Sequence, residues 1–192
     1  MVTALSHIIA DIFIRRKVIT EERREAYEYG FELGISALIE IIITLTIGLL
    51  SRMFWESVMF YIVFSFTRLF TGGFHATKRF LDKILFAAIL MIVLIVDRLL
   101  QQIEGYYWFV LHFYSLVIVC EFAPIKASDQ KLLQRETVRL KVISILIMAV
   151  WLAVMFLFRH LNSELDHIVA LSLFCVSNLM LLKKYYDRRK ME

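Results

Sequence analysis

The stretch Val142-Ile-Ser-Ile-Leu-Ile-Met-Ala-Val-Trp-Leu-Ala-Val-Met-Phe-Leu-Phe158 carries no charge, no glycine and no proline, and it lies between Lys141 and Arg159. About 20 mostly apolar residues are needed for a helix to cross roughly 30 Å of hydrocarbon. Cations at its two ends would then lie at headgroup level. A soluble core has no use for a run of this kind, whereas a bilayer does. The reading extends outward to five more windows: Leu33–Leu50, Trp55–Phe66, Ile84–Val96, Tyr106–Cys120 and Leu165–Leu182. The second and third windows in chain order are short, so tilting or local thinning of the bilayer has to accommodate them. Tyr106, Tyr107 and Trp108 resemble an interfacial aromatic belt at the head of the fourth.

Composition supports this reading. Hydrophobic residues make up 60% of the 192 residues and the mean hydropathy is +0.70, well above the 45–50% apolar content of soluble chains. Six glycines and one proline, Pro124, leave little for a loop-rich fold. The runs are too long for barrel strands and show no period-two alternation. The expected class is therefore all-α, a polytopic integral membrane protein.

Charge placement checks the span count independently. Counted from the N-terminus, the seven segments outside the windows hold five, one, four, one, five, one and five basic residues, which together are all 22. Cytoplasmic loops are the ones enriched in Lys and Arg. The alternation therefore predicts six spans with both termini cytoplasmic, and five spans would break it. The net charge of +4 needs no nucleic acid to explain it, because anionic headgroups of the inner leaflet attract these residues. Cys120 and Cys175 lie in or at the end of apolar runs and offer neither a disulfide framework nor metal spacing. No metal-binding motif, phosphate loop or nucleotide fingerprint occurs, so no cofactor is expected. The first apolar stretch is short and followed by basic residues, unlike a cleavable signal.

The expected organisation is one membrane domain over 1–192: an amphipathic arm (1–29), a transmembrane core (30–182) and a basic tail (183–192). Within the arm, Leu5, Ile8, Ile9, Ile12 and Phe13 recur at helical spacing, with Asp11, Arg15 and Arg16 elsewhere on the wheel. That pattern predicts a helix lying in the cytoplasmic interface, with a solvated arm as the alternative. Thr20 is expected to cap a second helix.

One segment differs from the rest: Arg68-Leu-Phe-Thr-Gly72-Gly73-Phe-His75-Ala-Thr-Lys-Arg-Phe-Leu-Asp82-Lys83. Paired glycines permit close backbone approach and positive φ. Irregular backbone at membrane depth is tolerated only where protein or water satisfies it. The segment therefore reads either as a re-entrant, cavity-lining turn or as a solvated cytoplasmic turn. If the chain is helical from Ala76, His75 and Asp82 are two turns apart on one face, and a carboxylate can orient a histidine that acts as a base.

Arg68-x-x-x-Gly72-Gly73-Phe74-His75-Ala76 resembles the accessory gene regulator protein B (AgrB) family, membrane peptidases that process quorum-sensing propeptides of Gram-positive bacteria. Tyr29-Gly30 before the first span, Phe122-Ala123-Pro124 after the fourth, the size and the span order are also similar, so the likeness covers nearly the whole chain. The resemblance implies a cell-membrane enzyme with its site on the cytoplasmic side and a small amphipathic propeptide as substrate. It also implies a homodimer, and the basic residues imply anionic lipid around the protein. The histidine matched by His75 would activate a cysteine seven residues later, which cuts the propeptide and forms a thioester. Transfer to an internal Cys or Ser then releases a cyclic product. Arg68, Gly72 and Gly73 would support substrate and oxyanion.

Position 82 departs from the family pattern, because Asp82 cannot form that thioester. Three explanations stand: an engineered block, a natural loss of cleavage with retained peptide binding, or a His–Asp arrangement that activates water. The last ranks lowest because hydrolysis would defeat cyclisation. Cys120 and Cys175 read as packing residues. Glu40, inside the first span, either pairs with a basic group of the site or substrate or packs protonated. Glu56, Asp97 and Arg98 read as solvated span ends, His112 as a satisfied packing histidine, and Asp166 and His167 as polar helix-start residues. The rival function is a non-catalytic peptide transporter or scaffold, although repeat symmetry expected of a transporter is missing.

Overall fold

A computed structural model describes residues 2–72, 79–100, 107–125, 134–161 and 163–189. Every regular element among them is a helix: α1 (Val2–Arg15), a 3-10 turn (Glu21–Arg23), α2 (Arg24–Ser51), α3 (Phe54–Thr71), α4 (Arg79–Leu100), α5 (Tyr107–Phe122), α6 (Gln134–His160) and α7 (Leu165–Arg189). Each apolar window lies on one helix, apart from Tyr106, which is outside the described residues. The helices outrun the windows because backbone hydrogen bonding continues into the interface after the apolar residues stop. Three of them are long and apolar enough to cross a membrane: Glu21–Ser51, Arg135–His160 and Leu165–Arg189. Tyr107–Phe122 is apolar but shorter. α3 carries Glu56 and Arg68 in its end turns, and α4 carries Asp82 and Arg98 in its own.

The chain forms two compact units, residues 1–43 and 44–192. In the first, Phe13 meets Phe31 with ring centroids 5.3 Å apart. Arg24 ties the unit together, with Nη2 2.6 Å from Asp11 Oδ1 and Nε donating to Glu28 Oε1 at 2.8 Å. Glu28 precedes the apolar window, and Arg24 and then His7 hold its carboxyl below the usual range. Along α1, Leu5, Ile8 and Ile12 stay exposed as one stripe, as expected of an interfacial helix. Thr20 occupies the cap position, but its side chain makes no capping hydrogen bond. The turn after it runs straight into α2, so no separate second helix forms.

The second unit is a helical bundle centred on α7. α7 packs against α3, α4, α5 and α6, which explains why so much of it is buried, from Asp166 to Met180. Phe60, Phe64 and Phe86 form an aromatic core between α3 and α4, with centroid separations of 5.0 to 5.9 Å. The end of α2 approaches α3 so closely that a Cβ at Gly48 would lie 2.9 Å from Ser57.

Candidate functional site

Arg68 in the last turn of α3 and Asp82 in the first turn of α4 face each other. Arg68 Nη2 donates to Asp82 Oδ1 at 3.1 Å, and only 11% and 12% of the two side chains is exposed. The Arg68 guanidinium also lies 5.6 Å from the centroid of the Phe64 ring. A charge pair this sheltered is strengthened by the low local dielectric and needs both partners.

Gly72 ends α3, and its N–H bonds back to the Arg68 carbonyl at 3.0 Å. Its φ of +73° and ψ of −169° belong to glycine-only backbone. A Cβ there would collide with the Ile125 carbonyl. The chain after α5 is held against this cap, since the Ile125 N–H donates to the Thr71 carbonyl at 3.0 Å. A cis peptide joins Ala123 to Pro124 in the same segment. The glycine turn and the Phe122-Ala123-Pro124 segment, remote in sequence, are therefore one structural feature. No sequence signal points to this contact.

α6 closes the third side. Trp151 Nε1 donates to Thr67 Oγ1 at 3.0 Å, and Ser144 Oγ donates to the Phe70 carbonyl at 3.3 Å. These bonds fix the α3 backbone on both sides of Arg68. Of the expected site residues, Arg68, Gly72 and Asp82 come together; Gly73 and His75 lie outside the described residues. Glu40 is half-buried on α2 in the first unit. Cys120, on α5, and Cys175, on α7, are free thiols and half-buried. Among the described residues no group of His, Cys, Asp and Glu could hold a metal ion.

The opposite end of the bundle corrects two expectations. Asp97 is fully buried rather than solvated, because the helices packed around α4 cover it; Arg98 is exposed as expected. Asp166 and His167 do start α7, but both are buried. Asp166 Oδ2 lies 3.6 Å from Arg159 Nη1, and the His167 ring stacks on Trp108 at 3.8 Å. His112 packs as expected but is not satisfied, since neither ring nitrogen has a hydrogen-bond partner among the described residues.

No curated protein and no solved structure gives a significant match to the chain. The accessory gene regulator B family model, in contrast, matches residues 6–182, from the amphipathic arm to the end of the last apolar window. The chain belongs to the accessory gene regulator B family.

Proposed function

We propose that this chain is a membrane endopeptidase of the accessory gene regulator B type in architecture, acting on a small amphipathic quorum-sensing propeptide. In this reading one membrane domain spans the bilayer six times with both termini cytoplasmic. The Arg68 end faces the cytoplasm, and the arm over 1–29 and the tail over 183–192 lie along that face. Basic-residue alternation supports the topology, and the family supports the substrate class.

The observation that carries the site assignment is the sheltered Arg68–Asp82 pair. A cysteine at position 82 would stand beside the same guanidinium, and a neighbouring arginine favours thiolate over thiol. His75, seven residues earlier, would serve as base and then as acid, and the backbone N–H of Gly73 would face the developing oxyanion, since that of Gly72 is taken by the Arg68 carbonyl. Asp82 supplies the negative charge of such a thiolate without its nucleophilic sulfur. The chain therefore binds the propeptide and fails at acyl transfer. Glu40 is kept as a candidate partner for a basic group of the peptide, with protonated packing as the other reading. A non-catalytic scaffold or transporter is the alternative, and Asp82 is the observation that favours it.

The test is cleavage of the cognate propeptide in nanodiscs by this chain, by Asp82→Cys, and by Asp82→Cys combined with His75→Ala. Processing by the single variant alone, abolished by thiol alkylation, is the expected result. Equal processing by all three moves the chemistry elsewhere. No processing by any of them supports the scaffold.

A further inference from the structure

A groove of about 420 Å³ runs between α3 and α6, lined by Ile62 and Phe66 on one side and by Ile143, Leu146, Ile147, Val150 and Trp151 on the other. All seven residues are apolar. Trp151 commits its indole N–H to Thr67 Oγ1 and sets its ring edge-on to Phe66. The groove thus offers a ligand no hydrogen-bond partner. An extended peptide backbone would leave its polar groups unsatisfied there, whereas a hydrocarbon chain loses nothing.

What lies beyond one end of the groove identifies the occupant. The α6 residues that line it recur at 143, 146, 147, 150 and 151, and the same helical face continues toward the N-terminus through Arg139, Glu136 and Arg135, one to two turns before Ile143. Both arginines are exposed. The first turns of α6 hold Arg135, Arg139 and Lys141 against a single carboxylate, Glu136, and the positive end of the helix dipole adds to them. An apolar slot that opens onto two arginines is complementary to one kind of molecule in a bilayer.

We infer that the α3–α6 groove seats an acyl chain of an anionic phospholipid whose phosphate is held by Arg139 and Arg135 at the Arg68 end of the bundle. The site is distinct from the Arg68–Asp82 pair and does not depend on what the chain processes. Its consequence is mechanical: the seated chain rests on Trp151, which holds Thr67, the residue before Arg68.

Quenching of Trp151 by brominated lipid in nanodiscs tests this without any peptide. Brominated phosphatidylglycerol in plain phosphatidylcholine is compared with brominated phosphatidylcholine in plain phosphatidylglycerol at equal mole fraction. The signal is the part lost in Trp151→Phe, which removes the contributions of Trp55 and Trp108. An attraction of the size found for cations at anionic surfaces predicts a preference for brominated phosphatidylglycerol of roughly fivefold per arginine engaged. Arg135→Gln combined with Arg139→Gln, both on an exposed helix face, should bring the ratio to about one if phosphate attraction to these arginines is its source. Equal quenching by the two headgroups overturns the site and leaves ordinary lipid contact. A preference that survives the double substitution also overturns it. Quenching by neither lipid means that a second copy of the chain or a peptide covers the groove, and it refutes the assignment.

Discussion

The two ends of the bundle each carry an arginine–aspartate pair, and they are built differently. Arg68 and Asp82 are both sheltered and lie 3.1 Å apart, behind a glycine turn that admits no side chain. Arg159 is 45% exposed and reaches Asp166 at 3.6 Å, and the next residue, His167, stacks on Trp108. The first end is fixed by backbone: the Gly72 cap, the Ile125 bond and two α6 side chains on α3 carbonyl and hydroxyl groups. The second is fixed by side chains, and water reaches its cation. Reactive groups must be held in place and sheltered from solvent, and only the first end does both.

The largest effect expected from that contrast is on the sheltered pair. Arg68→Ala removes the sheltered cation beside Asp82 and should cost about 3–5 kcal/mol, read as a lowered unfolding midpoint in detergent. A loss no larger than that of an exposed arginine would erase the distinction between the ends. Gly72→Ala comes next, at about 1–3 kcal/mol from backbone strain alone, with the Ile125 collision in addition. Gly30→Ala, where nothing lies within 4 Å, should be neutral or gain up to about 1 kcal/mol. Thr67→Val removes the Trp151 bond and should cost about 0.6 kcal/mol, typical of hydrogen bonds between membrane helices. At the other end, Arg159→Ala should cost less than Arg68→Ala, since its cation is half-solvated and 3.6 Å from Asp166. If it costs more than Arg68→Ala, the ranking of the ends is reversed.

The helices were legible in the sequence because each apolar window is a nearly unbroken run, and such a run admits few structures in lipid. The pairing of Arg68 with Asp82 was not. Spacing along one helix face pointed to His75 as the partner of Asp82, and the observed contact needs α3 and α4 to fold back on each other. Gly72 was picked out for its freedom of φ, yet its demand for an absent side chain comes from Ile125, on a segment that follows α5. Asp97 misled for the same reason. A carboxylate near the end of an apolar run looks solvated until neighbouring helices cover it, and burial of that kind is a property of packing that no local pattern carries. Position 82 is a different case: the sequence showed an aspartate, which the proposed function reads in the place of a nucleophile, and the fold adds that a cation stands beside it.

The central claim is that Arg68 is placed to stabilise an anion at position 82, and the most direct measurement is the ionisation of a thiol put there. In Asp82→Cys, reconstituted in nanodiscs, the rate of iodoacetamide labelling at residue 82 is followed against pH by peptide mass spectrometry. The account predicts half-maximal reactivity well below the roughly 8.5 of a free cysteine, moving up by about one unit or more when Arg68→Gln is added. A thiol that titrates at or above the free value, indifferent to Arg68, would contradict it.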